Sequence, residues 1–193
     1  MTVVTDPCPP ELGYSLDKPA ANIVTVSHNH PNHSYYQGIS GDPRIISRPG
    51  EYEIGGTLII GIPTFHDDEK GLTKGKNNVY AIEVDDITIC HLGDIGHPLS
   101  STQIEELGNI DVLLIPVGGG NTISVSQAAA LVRSIEPKIV IPMHYKTLTL
   151  TKELDNVDKF LKEMGLTEAV PQPKLTISKS QLPLTTTVMV LSA

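Results

Sequence analysis

Seven histidines stand out in a 193-residue chain that holds no tryptophan and only two phenylalanines. Three of them, His28, His30 and His33, fall within six residues in the stretch TVSHNHPNHSYY. His66 follows in PTFHDD, His91 and Asp94 in CHLGD, His97 in GDIGHP and His144 in PMHY. Imidazole is the commonest protein ligand for zinc, and three or four nitrogen and oxygen ligands complete a site. Taken alone, each histidine is better read as a strand-end residue bonded to a nearby loop. Together, a His-x-His-x-x-His run, three further strand-end histidines and an aspartate point to a metal centre.

The elements that must position these residues are short and strand-rich. NIVTVS (residues 22–27) reads as a buried strand ending just before the triple-histidine run, and Pro31 stops it from continuing. RIIS, EYEIGG and TLIIGIPTF read as an antiparallel meander punctuated by Pro49-Gly50 and Gly55-Gly56, with His66 at its end. Residues 67–78, DDEKGLTKGKNN, read as a mobile surface loop. NVYAIEV and ITIC flank Asp85-Asp86 as a hairpin and deliver His91 and Asp94. Residues 100–107 form a predicted helix with Ser100 and Gln103 in a capping box. VLLIPV is a strand covered on both faces. SVSQAAALVRSIEP is a helix ending before Pro137, and KIVIPM is a second buried strand that delivers His144. KELDNVDKFLKEMG is an amphipathic helix burying Leu154, Val157, Phe160 and Leu161, with Gly165 as its stop. KLTIS and TTTVMVLS are closing strands. Four strand ends thus each present a histidine to one rim, where loops on a rigid scaffold carry sites.

The whole chain narrows the chemistry. Apolar residues make up 39% and mean hydropathy is near zero, as for a folded chain with a real core. One domain spanning residues 1–193 is expected, since neither a linker composition nor a repeat appears. Acids outnumber bases 22 to 14, for a net charge of −8 without a Lys/Arg cluster, so no nucleic-acid partner is expected. No apolar run of about 18 residues exists, so no membrane partner is expected. The opening MTVVTDPCPP lacks a secretory pattern, so a cytoplasmic location is expected. Cys8 and Cys90 read as two buried thiols.

The set resembles the metallo-β-lactamase superfamily, most closely its small ascorbate-phosphate-lactonase-like branch. That family carries H-x-H-x-D-H after a strand, then a lone His, an Asp in a Gly-Asp pair and a last His. Here the matching residues are His28-Asn29-His30-Pro31-Asn32-His33, His66, Gly93-Asp94 and His144, with Asp6-Pro7 similar to the family's upstream Asp-Pro. The resemblance implies an α+β fold, a four-layer αββα sandwich. It also implies that His28, His30 and His66 hold a first metal, that His33 and His144 hold a second, and that Asp94 bridges them. The implied cofactor is one or two divalent ions, zinc first, with manganese, iron or nickel as alternatives. The implied activity is hydrolysis of an ester, lactone or phosphoester of a small metabolite by a metal-activated water. A non-catalytic relative that binds a metal or ligand is the alternative, and a phosphodiesterase or nuclease a weaker one.

Two departures from the pattern matter. Asn32 stands where the motif has Asp, so the second metal site is expected to be weakened. Asn32 still faces the expected reaction centre, where its amide can bond a water but cannot accept a proton. Asp68, on the same side of the chain as His66, is the candidate substitute. The family's opening hairpin is also missing ahead of Asp6, so an unprotected sheet edge and a homo-oligomer are expected. His91 and Tyr145 are expected beside the ligands, and His97 is a candidate proton donor to a leaving group. Tyr35 and Tyr36 are candidates for the pocket wall. Gly118-Gly119-Gly120-Asn121 lacks the spacing and lysine of a phosphate-binding loop.

Overall fold

The computed structural model describes residues 1–14, 18–150 and 153–192. Two sheets face each other. The smaller holds β1 (Val3–Thr5), β2 (Ile23–Thr25) and β3 (Arg44–Ile46), all parallel. The larger has seven strands in the order β10-β9-β8-β7-β6-β5-β4. These are β4 (Gly50–Ile54), β5 (Thr57–Phe65), β6 (Lys76–Val84), β7 (Ile87–His91), β8 (Val112–Pro116), β9 (Ile139–Met143) and β10 (Thr187–Val188). β4 to β7 run antiparallel, and β7 to β10 run parallel.

Period-two alternation assigns the two faces of the large sheet. Ile62, Val79, Ala81, Cys90, Leu113, Ile115 and Val140 point one way. They bury against α1 (Ser101–Leu107), α2 (Val125–Ile135) and α3 (Val157–Glu163) through Leu107, Leu131, Val132 and Phe160. The opposite face of β5 and β6 meets the small sheet, with Ile59, Tyr80 and Ile82 against Ile23 and Ile46. Each such fully buried side chain contributes about 1.5–3 kcal/mol. The Tyr80 hydroxyl lies within 3.2–3.5 Å of the carbonyls of Val26, Ile46 and Arg48 and so ties the sheets together. The same face of β7 to β9 carries Ile87, Val112, Ile139 and Ile141. Leu175, Ile177, Leu182, Met189 and Leu191 of the C-terminal segment cover part of it.

Local chemistry explains most boundaries. Asp85 and Asp86 both take positive φ, 52° and 62°, the hairpin turn that Asp tolerates. Both Ser100 with Gln103 and Ser124 with Gln127 form full capping boxes.

Several expectations are corrected. RIIS is not part of the antiparallel meander: it is β3, parallel to β2 in the small sheet. The segment before α3 is extended, so Leu154 precedes the helix; Lys152 lies outside the described residues. KLTIS packs a half-buried Leu175 and Ile177 against the sheet but makes no ladder, so alternation there reports packing without strand pairing. Only Thr187 and Val188 of TTTVMVLS form a named strand. Cys8 is half-buried rather than buried.

Candidate metal centre

Five chain segments converge at the C-terminal ends of their strands. β1 leads into Asp6, β2 through Val26-Ser27 into the histidine run, β5 into His66, β7 into Asp94 and β9 into His144. Around one oxygen, Asp94 Oδ2, lie the Nε2 atoms of His144 at 3.4 Å, His33 and His66 at 3.5 Å, and His28 at 4.0 Å. Asp94 is 3% exposed. Burial alone would raise its carboxyl pKa, but the surrounding His33, His144, His28 and His66 hold it below the ordinary range. The charge sits where a cation would be bound.

Ligand nitrogens fall into compact triads: His28/His66/Asp94, His33/Asp94/His144 and His28/His30/His33, each within 4.8 Å. Asp94 is shared by the first two, as the resemblance implies. His30 groups with His28 and His33, and it is exposed while its neighbours are covered.

Ring orientation follows from hydrogen-bond counting. A serine hydroxyl has one hydrogen. Ser27 Oγ donates it to Asp6 Oδ2, so it accepts from His28 Nδ1 at 2.9 Å. The proton of neutral His28 is therefore on Nδ1, and its buried Nε2 is a lone pair with no hydrogen-bond partner. Burial foremost, then the neighbouring His33, pushes the His28 pKa down to about 4, so the ring is neutral at pH 7. Asp6 Oδ2 also accepts from His33 Nδ1 at 3.0 Å, which aims His33 Nε2 at Asp94. The Ser27 backbone N–H donates to Asp6 Oδ1 at 2.7 Å. Despite its burial, Asp6 stays ionised more readily than an ordinary carboxyl, because His91, His33 and Ser27 favour the charged form. One carboxylate thus sets the tautomer of a histidine in each triad, as outer partners of metal ligands do.

The scaffold holds these groups by specific contacts. Buried Asn77 accepts from the Asp94 N–H at 3.1 Å and donates to Leu92 O and Thr64 Oγ1. Asn78 donates to Ser27 O from both its backbone and its side chain. Gly96 N–H donates to Phe65 O at 2.9 Å, and a Cβ there would overlap the backbone of His66 and Asp67. His144 has φ +51°, held by Gly118 N–H donating to its carbonyl at 2.9 Å, a closeness that leaves Gly118 no room for a Cβ. The glycine turn after β8 therefore packs under the last histidine.

Other expected residues sort as follows. Asn32 lines the cavity together with His33, and its backbone N–H donates to His30 Nδ1 at 3.2 Å. His91 is buried, lines the same cavity and has an unpartnered Nδ1. Tyr145 lines it too, with its hydroxyl donating to Leu191 O at 3.2 Å. His97 is not among the cavity-lining residues: its Nε2 accepts from Phe65 N–H and its Nδ1 donates to Pro98 O. Asp68 is exposed and is not among the cavity-lining residues. Its neighbour Asp67 is the buried one. Asp67 accepts from the N–H groups of Glu69, Gly71, Thr73 and Lys74 and from the Thr73 hydroxyl. The expected mobile loop is thus tied down by its first residue, and β6 begins at Lys76 rather than after residue 78. Tyr35 and Tyr36 do not line the cavity; Tyr35 packs on Gly38 and Tyr36 is exposed. Sequence reasoning missed Ser27, Asn77, Asn78 and Gly96. Only Ser27, directly before His28, carried a local signal.

A cavity of about 630 Å³ opens from His33, Asp94 and His144. It runs between the inner face of β7 to β9 and the segment after β1, and Tyr145, Thr147, Leu150 and Leu154 form a third wall. Four imidazoles facing a buried carboxylate, with the buried His28 Nε2 lone pair unmatched, fit divalent metal binding.

Comparisons with known proteins agree with this geometry. Residues 1–144 match the family described as Beta-lactamase superfamily domain. A UPF0173 metal-dependent hydrolase of Pyrococcus horikoshii is 39% identical over 100 residues, 51% of this chain and 44% of that protein. The matched region thus spans less than half the length of that relative. A UPF0173 metal-dependent hydrolase of Thermococcus kodakarensis is 36% identical over 163 residues, covering 72% of this chain and 73% of its own. A crystal structure of a candidate zinc-dependent hydrolase of the metallo-β-lactamase superfamily from Thermotoga maritima superposes with a TM-score of 0.79. It has 38% identity over 98% of this chain and 90% of that one. With its facing sheets, its shared aspartate and these matches along most of its length, the chain belongs to the β-lactamase superfamily.

Proposed function

We propose that the chain is a metal-dependent hydrolase acting on an ester, lactone or phosphoester of a small metabolite. The observation that carries this reading is the convergence of four histidine Nε2 atoms on Asp94 Oδ2 within 4.0 Å. His28, His66 and Asp94 would hold one ion and His33, Asp94 and His144 another, with His30 as a further donor near His28 and His33. When bound, such ions supply Lewis-acid polarisation of the scissile group and activation of water near neutral pH. Asp6 and Ser27 hold His28 and His33 in the tautomers that leave Nε2 available. His91 and Tyr145 border the space a substrate would enter.

Asn32 favours an unequal pair. It lines the cavity with His33, and it brings a neutral amide where the motif's carboxylate would add charge. The reading is that the His28/His66 position binds tightly, zinc foremost, and the His33/His144 position weakly. Metal content per chain, measured on protein purified without added metal or chelator, tests this together with turnover of a nitrophenyl ester. One tightly held ion with turnover supports the mononuclear form. Two tightly held ions restore the binuclear one. No uptake of zinc or manganese and no turnover would refute the hydrolase and leave a non-catalytic relative.

A further inference from the structure

We infer that the cavity beside the centre selects an uncharged ester or lactone carrying an apolar arm, in preference to a phosphorylated metabolite. This rests on the hydrolase reading and narrows its substrate class. The first observation is where the apolar wall begins. Leu114 on β8 pairs in register with His91 on β7, and Ile141 on β9 is its neighbour on the other side. A single row across the sheet therefore passes from the histidine bordering the centre to two aliphatic side chains. Met143, directly before His144, continues that face, and Leu12, Leu150 and Leu191 close the space opposite. A substrate whose reacting carbonyl reaches Asp94 and His144 must lay its remaining atoms against this wall. The volume, about 630 Å³, suits a whole small ligand.

The second observation is charge. A phosphoryl group is normally held by charge-assisted bonds from Arg or Lys. The ionisable side chains among the described lining residues are Asp6, Cys8, Tyr14, His33, His91, Asp94, His144 and Tyr145. Away from the centre itself, those lining groups offer a phosphate no fixed positive charge. The chain's net charge of −8 adds a field that repels anions. The Tyr14 hydroxyl and Thr147 Oγ1, on residues that also line the cavity, bond each other at 2.6 Å.

Two assays on the zinc-loaded protein test the inference. The first compares kcat/KM for p-nitrophenyl butyrate, p-nitrophenyl octanoate and p-nitrophenyl phosphate. Each methylene buried should raise kcat/KM about fourfold, which is about 0.8 kcal/mol. Partial burial of the four added methylenes should still favour octanoate by tenfold or more, with phosphate the poorest. Leu191→Trp, and independently Leu150→Trp, should shrink that octanoate-to-butyrate ratio by filling the cavity. The second assay reads the cavity without turnover, by calorimetric binding of octanohydroxamate against acetohydroxamate. Binding of octanohydroxamate at least tenfold tighter supports the inference. Equal binding, a flat chain-length profile or preferred phosphate turnover overturns it while leaving a hydrolase. Selective octanohydroxamate binding without turnover of any of the three esters would instead refute the hydrolase reading and keep the apolar cavity.

Discussion

Ser27→Ala removes one oxygen and tests the tautomer argument directly. In the parent, Ser27 Oγ links His28 Nδ1 to Asp6, and it is fully buried. Without it, the His28 Nδ1–H is left as a buried donor without a partner, which costs about 1–3 kcal/mol. The ring can escape that cost by moving its proton to Nε2, which faces Asp94 4.0 Å away. That shift occupies the lone pair a metal needs. Loss of an outer partner of a metal-binding histidine lowers metal affinity by about 10–100-fold. The assay is a zinc titration against a competing chelator at pH 7, with urea unfolding of the chelated protein alongside. The expected result is weaker zinc binding by that factor, together with a stability loss within the stated range. Asp6→Asn provides a second handle: it keeps the shape but removes the charge that orients Ser27 and His33, and it should weaken zinc binding as well. An alanine variant that binds zinc as tightly as the parent, while unfolding at the same urea concentration, would refute the reasoning.

Further outcomes are expected. Gly96→Ala forces a Cβ into the backbone of His66 and Asp67, and overpacking of this kind should cost about 1–3 kcal/mol, read from the urea midpoint. Chelated protein should lose stability as pH falls from 6.5 toward about 4. In that window the unfolded chain takes up a proton on His28 that the folded chain, with its depressed pKa, does not; a flat stability profile there would contradict the burial argument. The Asp67 carboxyl, desolvated but bonded to four backbone N–H groups, is held well below its ordinary value of 3.8. Its ordering of residues 69–74 should be complete above that value and lost only as pH falls through the lower folded value. Hydrogen exchange of those amides, compared with Asp67→Ala, reads this.

What could be read in the chain beforehand divides along physical lines. Local rules reach a few residues. They located strand-end histidines, the Asp85-Asp86 turn and the Ser100 capping box, because each depends on neighbours in sequence. The unbroken apolar run VLLIPV correctly implied cover on both faces, since Leu113 and Ile115 meet the helices while Val112 and Leu114 meet the C-terminal segment. Periodicity misplaced RIIS and KLTIS. Alternation records which side chains are buried and carries nothing about which backbone supplies the hydrogen bonds.

The candidate ligands themselves were legible as residue types at a spacing, and His28, His33, His66, Asp94 and His144 do meet around one carboxylate oxygen. Their support was not. Asp6 and Ser27, 21 residues apart, become a single hydrogen-bonded unit only when β1 lies parallel to β2. Asn77 reaches Asp94 across 17 residues. His97 looked as catalytic as its neighbours until its two nitrogens were seen bound to backbone. Composition and motif determine which groups are available for chemistry. Which nitrogen carries a proton, which carboxylate is buried and which face of the sheet is left open as a cavity depend on contacts between distant segments, and those exist only once the sheets have closed.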